Sequence, residues 1–296
     1  MSKDIVLASL PRAGLANKLL VWARALTFAE EHDLKLFITG WYDIKIGPYL
    51  RKEKTKRSYL NFFKSSNRAN ILRRFYFYLF YRKIEDELYI KIKNKKEKKR
   101  LYLFKNVPNC NDYFIDIRNN REKIRKSFYN LLKPMYQDIF NDDLCPVIGV
   151  HFRCSDFHYE NINEALGSSP NLRTPINYFI NIINKLRESV NKNLEVTLFT
   201  DGKSDDIKDI LALGKVKLSP YKSDLADMIY LSKSKLIITS LFSTFGYWSS
   251  FISDSPVITH PRHKGQIHNN EDILFQGPIE IEKDIDPELL SYLSKL

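Results

Sequence analysis

Residues 146–156 read PVIGVHFRCSD. Five apolar or small residues run into a histidine, a phenylalanine and then an abrupt polar turn. Such a short apolar run, closed by polar residues, predicts a buried strand over 146–152. Alternation along an extended chain places His151, Arg153 and Ser155 on one side. The same pattern repeats downstream. TPINYFINIINKLRESV (174–190) predicts a helix with Thr174 as N-cap and Pro175 at the first helical position. EVTLFT (195–200) predicts the next strand, and Ser204 is placed to cap the helix after it. KVKLS (215–219) reads as a strand, DLADMIYLSK (224–233) as a helix and KLIITS (235–240) as a strand. A helix opens near Thr244, and SPVITH (255–260) closes the series. Five strands alternating with helices predict a parallel Rossmann-like sheet. Ligands of such sheets bind at the carboxyl ends of the strands.

The N-terminal block repeats the logic on a smaller scale. DIVLASL (4–10) predicts a strand, PRAGLAN (11–17) a turn, KLLVWARALTFAEEH (18–32) a helix and LKLFIT (34–39) a second strand. This β-loop-α-β opening is typical of α/β proteins. Residues 41–140 are less regular, with one helix expected around 120–140. At roughly 150 residues per domain, 296 residues predict two domains. The boundaries expected are 1–143 and 144–296.

Composition narrows the class. Apolar residues make up 44% and charged residues 28%, which suits a packed core and excludes bulk disorder. The three cysteines, Cys110, Cys145 and Cys154, form no CxxC or His/Cys cluster, so neither a zinc site nor a disulfide framework is expected. They point to a reducing, cytoplasmic setting. MSKDIVLASL has too short an apolar run for a signal peptide, and no stretch reaches the roughly 18 apolar residues of a membrane span.

The net charge of +12 is local. Residues 51–105 hold 19 Lys/Arg against 5 Asp/Glu, so the rest of the chain is slightly acidic. The segment carries the run Phe75-Tyr76-Phe77-Tyr78-Leu79-Phe80-Tyr81, flanked by Arg73, Arg74, Arg82 and Lys83. Seven cations follow between Lys91 and Arg100. Cations beside aromatic rings suit an anionic membrane surface or single-stranded nucleic acid. They also suit a solvated basic helix pair whose aromatics face the core. Nucleic acid is the weakest of the three readings.

The strand ends carry the candidate chemistry. Arg153 can bind a phosphate bidentately. Asp156 either orients that arginine or acts on a substrate hydroxyl. Asp201, in Thr200-Asp201-Gly202, can accept hydrogen bonds from a ribose or base, or cap a tight turn. Ser243, Thr244 and Phe245 open a helix whose N-terminus can hold an anion, or whose first residue simply caps it. The small residues Ala13, Gly14 and Ala16 let backbone amides approach a ligand. There is no GxGxxG, GxxxxGK[ST] or GxSxG pattern.

Three motifs together resemble the GDP-fucose-dependent fucosyltransferases, most closely the bacterial α1,2-fucosyltransferases of glycosyltransferase family 11. GLANKLLVWARAL (14–26) is similar to the family's glycine-rich loop and helix, GVHFRCSDF (149–157) to its HxRxxD motif, and DLADMIYLSKSKLIITSLFSTFGYWSSF (224–251) to its closing motif. Residues 41–140 are unmatched. The family commonly has a second arginine where Cys154 stands, a glutamine where Lys18 stands, and a second acid where Gly202 stands. The resemblance implies an α/β, GT-B-type fold of two facing Rossmann-like domains, the first acceptor-side and the second nucleotide-sugar-binding. It implies inverting transfer of fucose from GDP-fucose to a glycan hydroxyl, through an α1,2 linkage, in bacterial surface polysaccharide synthesis. No metal and no cofactor are expected. Arg153, Ser243, Thr244 and Phe245 would bind the diphosphate, with Gly14 and Asn17 in the N-terminal loop beside it. His151 and Asp201 would lie near the ribose and guanine. Asp156 is the first candidate base and Glu160 the second. A lipid-linked acceptor at the inner membrane face would explain the basic segment. A glycosyltransferase for another nucleotide sugar, or a nucleic-acid-binding protein acting through 51–105, are the competing readings.

Overall fold

The structure, a computed structural model, describes residues 4–41, 59, 61–64, 68–85, 99–154 and 172–296. Asp156, Glu160 and most of the basic run from Lys91 lie outside the described residues. The chain divides into two compact units. One is built on residues up to Pro134, the other on Met135–Leu296 with Cys110–Asp112.

The first unit is organised on a parallel sheet of order β2-β1-β4-β3. Its strands are β1 (Ile5–Ser9), β2 (Lys35–Thr39), β3 (Arg82–Glu85) and β4 (Arg100–Phe104). Val6, Leu7 and Ala8 of β1 are fully buried, as expected for a central strand flanked on both sides. Helix α1 (Leu15–Glu31) follows β1 and buries residues all around its circumference, including Leu19, Leu20, Val21, Trp22 and Ala23. A helix apolar on all faces belongs inside a domain rather than on its rim. It starts three residues earlier than the expected 18–32, because Gly14 takes the extended N-cap conformation and its carbonyl accepts the Lys18 N–H at 3.2 Å. Asn17 therefore sits on the first helical turn, not in the loop. Helix α2 (Ile71–Phe80) precedes β3. The single helix expected over 120–140 is two, α3 (Arg121–Leu131) and α4 (Pro134–Asn141). Pro134 has no N–H to continue the first, and Leu132 is already extended.

The second unit carries six parallel strands, β5 (Ile148–Phe152), β6 (Val196–Thr200), β7 (Val216–Leu218), β8 (Leu236–Ile238), β9 (Val257–Ile258) and β10 (Gln276–Gly277). Their spatial order is β10-β9-β8-β5-β6-β7. Counted along this unit, that is the doubly wound order in which the chain reverses direction beside its first strand. Five of the six strands match the expected ones. The edge strand β10 is two residues long and too short to leave a periodic signal.

Alternation along β5 sorts its side chains cleanly. Ile148, Val150 and Phe152 join the core formed with Phe179, Ile182 and Leu186 of α5 (Ile176–Val190), Ile207 and Ile210 of α6 (Ser204–Leu211) and Leu289 of α9 (Pro287–Ser294). Gly149 and His151 face α7 (Asp224–Ser232) and α8 (Thr244–Phe251) on the other side. A Cβ on Gly149 would lie 2.1 Å from Ser234 Oγ and 2.7 Å from Leu231 Cδ1, so the strand passes too close for any side chain. Two caps differ from expectation. Pro175, not Thr174, is the N-cap of α5. Lys203 precedes α6, and Asp206 Oδ2 accepts its N–H at 2.7 Å, so Ser204 is the first helical residue rather than the cap.

Candidate functional site at the sheet switch point

In a doubly wound sheet the crevice opens where the strand order reverses, here between the carboxyl ends of β5 and β8. Ser240 fastens the two ends together. Its Oγ donates to the His151 carbonyl at 2.9 Å and accepts the Arg153 N–H at 3.0 Å. The side chain thus fixes the backbone on either side of Phe152 and aims Arg153 out of the strand.

Asp201, at the end of β6, holds Arg153 from the opposite direction. One carboxylate oxygen forms an ion pair with Arg153 Nη1, and the other accepts the Cys154 N–H at 2.7 Å. Both side chains are about a quarter exposed, 23% and 28%, so the pair meets solvent. Among the described residues, Asp201 is a carboxylate that orients the arginine; Asp156, also a candidate for that role, lies outside them. Cys154 itself is buried, and burial pushes its thiol up to about 11. It stands as a neutral apolar neighbour of Thr200, not as a nucleophile.

A second guanidinium, Arg173, lies just before α5. Its Nη2 donates to Asp206 Oδ1 at 2.9 Å, and its head lies 5.2 Å from the centre of the Phe152 ring. The Lys203 backbone N–H and then Arg173 hold the Asp206 carboxyl below the usual range. Arg173 carried no signal in the sequence, because its 19-residue separation from Cys154 hides the contact of its Nη2 with the Cys154 Sγ at 3.3 Å.

The end of β8 turns sharply into α8. Leu241 N–H donates to the buried Thr174 Oγ1 at 2.9 Å, which is what Thr174 does in place of capping α5. Phe242 has φ 56°, a left-handed conformation unusual for an aromatic residue. Its N–H donates to the Tyr247 hydroxyl at 3.0 Å. Ser243 occupies the N-cap of α8, but its side chain makes no capping hydrogen bond. Thr244 and Phe245 follow on the first turn.

His151 is buried beneath this turn. Its ring stacks on Phe245 at 4.9 Å, and a Cβ on Gly246 would come within 3.0 Å of its Nδ1. Burial, then Arg153, lowers its pKa to about 3, so the imidazole is neutral at physiological pH. It packs against the start of α8, and its Nδ1 is buried without a hydrogen-bond partner among the described residues. The end of β9 adds His260, stacked near Tyr178 at 5.0 Å, and His263, near Tyr247 at 4.4 Å. Burial lowers both to about 4. The dense HPRH run after the fifth strand was the available sequence signal for them.

Gly14 and Asn17 belong to the first unit. Gly14 faces open space, with nothing within 4 Å of where a Cβ would stand. Asn17 Oδ1 is buried without a hydrogen-bond partner among the described residues. Lys18, where the resembled family has glutamine, is fully buried and donates to the carbonyls of Pro11 at 2.8 Å and Gly40 at 2.5 Å. It ties the loop after β1 to the loop after β2. Among the described residues no three His, Cys, Asp or Glu side chains are grouped to hold a metal ion.

No protein-family model and no curated protein matches the chain. Solved structures do. NodZ α-1,6-fucosyltransferase soaked with GDP-fucose is 14% identical with a TM-score of 0.53, over 88% of this chain and 96% of that one. NodZ co-crystallised with GDP is 14% identical with a TM-score of 0.51, over 88% and 95%. A selenomethionine form of NodZ, from Bradyrhizobium, gives a TM-score of 0.49 at 14% identity over 88% and 95%. The chain shares the fold of the NodZ structures. That fold is α/β with two parallel sheets, as expected from the sequence.

Proposed function

We propose that this protein is an inverting, metal-independent fucosyltransferase that moves fucose from GDP-fucose to a glycan hydroxyl. The observation that carries the reading is Arg153, locked by Asp201 and Ser240 at the switch point beside the N-terminus of α8. A fixed guanidinium and the N-terminal end of a helix are the two elements that stabilise a departing diphosphate without a divalent ion. The fold likeness to NodZ structures obtained with GDP-fucose or GDP supports the choice of donor.

In this reading the acceptor oxygen attacks the anomeric carbon of fucose from the side opposite the diphosphate. The new carbon–oxygen bond forms as the bond to the β-phosphate oxygen breaks. The electron pair leaves with GDP, where Arg153 and the first turn of α8 meet the developing charge. The acceptor proton passes to a carboxylate, for which Asp156 and then Glu160 are the candidates. The neutral His151 keeps the helix start in place and takes no part in proton transfer. The linkage proposed is α1,2, with a surface polysaccharide, on a lipid carrier, as the acceptor class.

Thermal unfolding with GDP, UDP, CMP or ADP, each with EDTA, tests the donor. A shift with GDP alone supports the reading, and GDP-fucose turnover with product NMR then reads the linkage. A shift with a different nucleotide replaces the donor, and no shift with any removes the proposal.

A further inference from the structure

Helix α2 is built inside out. Its residues Ile71 and Leu72 are 85% and 80% exposed, and Phe75, Leu79 and Phe80 are 65%, 64% and 63% exposed. Only Phe77 is buried, 4.9 Å from Phe37 of β2 in the small core that also holds Leu101 and Leu103. At 100° per residue, Ile71, Phe75, Leu79, Leu72, Tyr76 and Phe80 sweep half of the helix circumference, and no polar side chain interrupts that arc. The opposite half carries Phe77 together with Arg73 and Arg74. The sequence alternative in which these aromatics face the core is thus overturned for Phe75, Tyr76 and Phe80, while Phe77 is buried and Tyr78 and Tyr81 pack partly buried against the same core. An unpartnered helix would fray, but Asn70 caps this one by accepting the Arg73 N–H at 2.8 Å.

The border of the apolar arc is cationic. Arg73 lies 5.5 Å from the Phe37 ring centre and Arg74 5.4 Å from that of Tyr78. Lys83 Nζ lies 4.3 Å from the same Tyr78 ring, and Lys99 reaches to 5.8 Å from Tyr81. Between Glu53 and Glu85 the sequence has nine Lys/Arg and no acidic residue. A helix of 10 residues spans about 15 Å, enough to lie flat at a bilayer surface with one face among the acyl chains.

We propose that α2 seats the protein on a membrane surface rich in anionic lipid, its apolar arc in the interface and its flanking cations on the headgroups. Among the described residues no helix is long and apolar enough to cross a membrane, so the contact is peripheral. Two other occupants fit less well. In an isologous dimer the cationic rims of two copies would face each other. Single-stranded nucleic acid would satisfy cations and rings, but not Ile71, Leu72 and Leu79, which have no base-stacking surface. The inference uses none of the chemistry at the switch point and stands or falls separately from it.

The test is vesicle flotation of the full-length protein with phosphatidylcholine alone and with added phosphatidylglycerol. Wild type is expected to float with the anionic vesicles and not with the neutral ones. The double variant Phe75→Ser/Leu79→Ser should reduce binding at least tenfold, with an unchanged unfolding temperature because both residues are exposed. Binding that survives the double variant overturns the role of α2. Wild type that ignores anionic vesicles overturns the proposal outright. So does a wild-type dimer by light scattering that the double variant dissolves in the absence of vesicle binding.

Discussion

Arg153 draws its orientation from two neighbours. Ser240 fixes its backbone and Asp201 its side chain. Arg153→Ala should lower kcat/KM by about 100-fold or more while leaving the unfolding temperature nearly unchanged, since the guanidinium is partly exposed. Lys at this position should restore only part of the loss, because an ammonium cannot bond two oxygens in parallel. Asp201→Asn should cost less than Arg153→Ala, and the double variant should be no worse than Arg153→Ala alone. Steady-state GDP release reads all three. His151 yields a stability prediction. Folded, it is held near 3; unfolded, it returns to 6.5. The unfolded state therefore binds the extra proton as pH falls below about 6.5, and stability is full above that value and drops below it. Urea melts at pH 7 and pH 5 should differ by about 2 kcal/mol on account of this residue, a share that His151→Gln should remove while the similar shares of His260 and His263 stay.

Elements meet in this fold through contacts that leave no room for adjustment. Gly149 on β5 is the sharpest case, with α7 pressed against its Cα. Gly149→Ala should destabilise by about 3 kcal/mol, at the upper end of the overpacking range, and more than Gly246→Ala, where the nearest atom stands 3.0 Å away. Calorimetry of the two variants checks the order. The turn from β8 to α8 depends on Thr174, which arrives from the loop before α5. Thr174→Val keeps the shape but leaves the Leu241 N–H buried and unpaired, at an expected cost of about 1–3 kcal/mol. Periodicity gave β1, α1 and β2 of the first unit and the series from β5 to β9 of the second, but not α2, β3, β4, β10 or α9. It misplaced the caps of α5 and α6, because a threonine or serine near a helix start can serve a distant N–H or none. It also merged α3 with α4, since 3.6-residue spacing carries straight across Pro134.

Two units, each with its own parallel sheet and core, make up the described molecule. A nucleotide that binds the native protein adds stability by mass action. GDP at 100 times its dissociation constant should add about 2.7 kcal/mol, and Arg153→Ala should abolish that gain at the same concentration. Differential scanning calorimetry with and without GDP measures it.

By itself the sequence determined the alternation of strands and helices, the parallel sheet of the C-terminal half, and the set of polar residues at the strand ends. Those features are local: a buried strand needs a short apolar run, and a strand end is where the run stops. The sequence also located the basic, aromatic stretch. Only the tertiary structure decided which polar residues serve one another. Asp201 meets Arg153 from 48 positions away and Ser240 from 87, and sequence spacing holds no trace of a distance set by strand order. It likewise decided that His151 is buried against Phe245 and that Phe75, Tyr76 and Phe80 of α2 are exposed while Phe77 is not. A ring's environment depends on what packs against its helix, and here Phe77 on Phe37, with Tyr78 beside it, fixes which half of α2 is left to the surroundings.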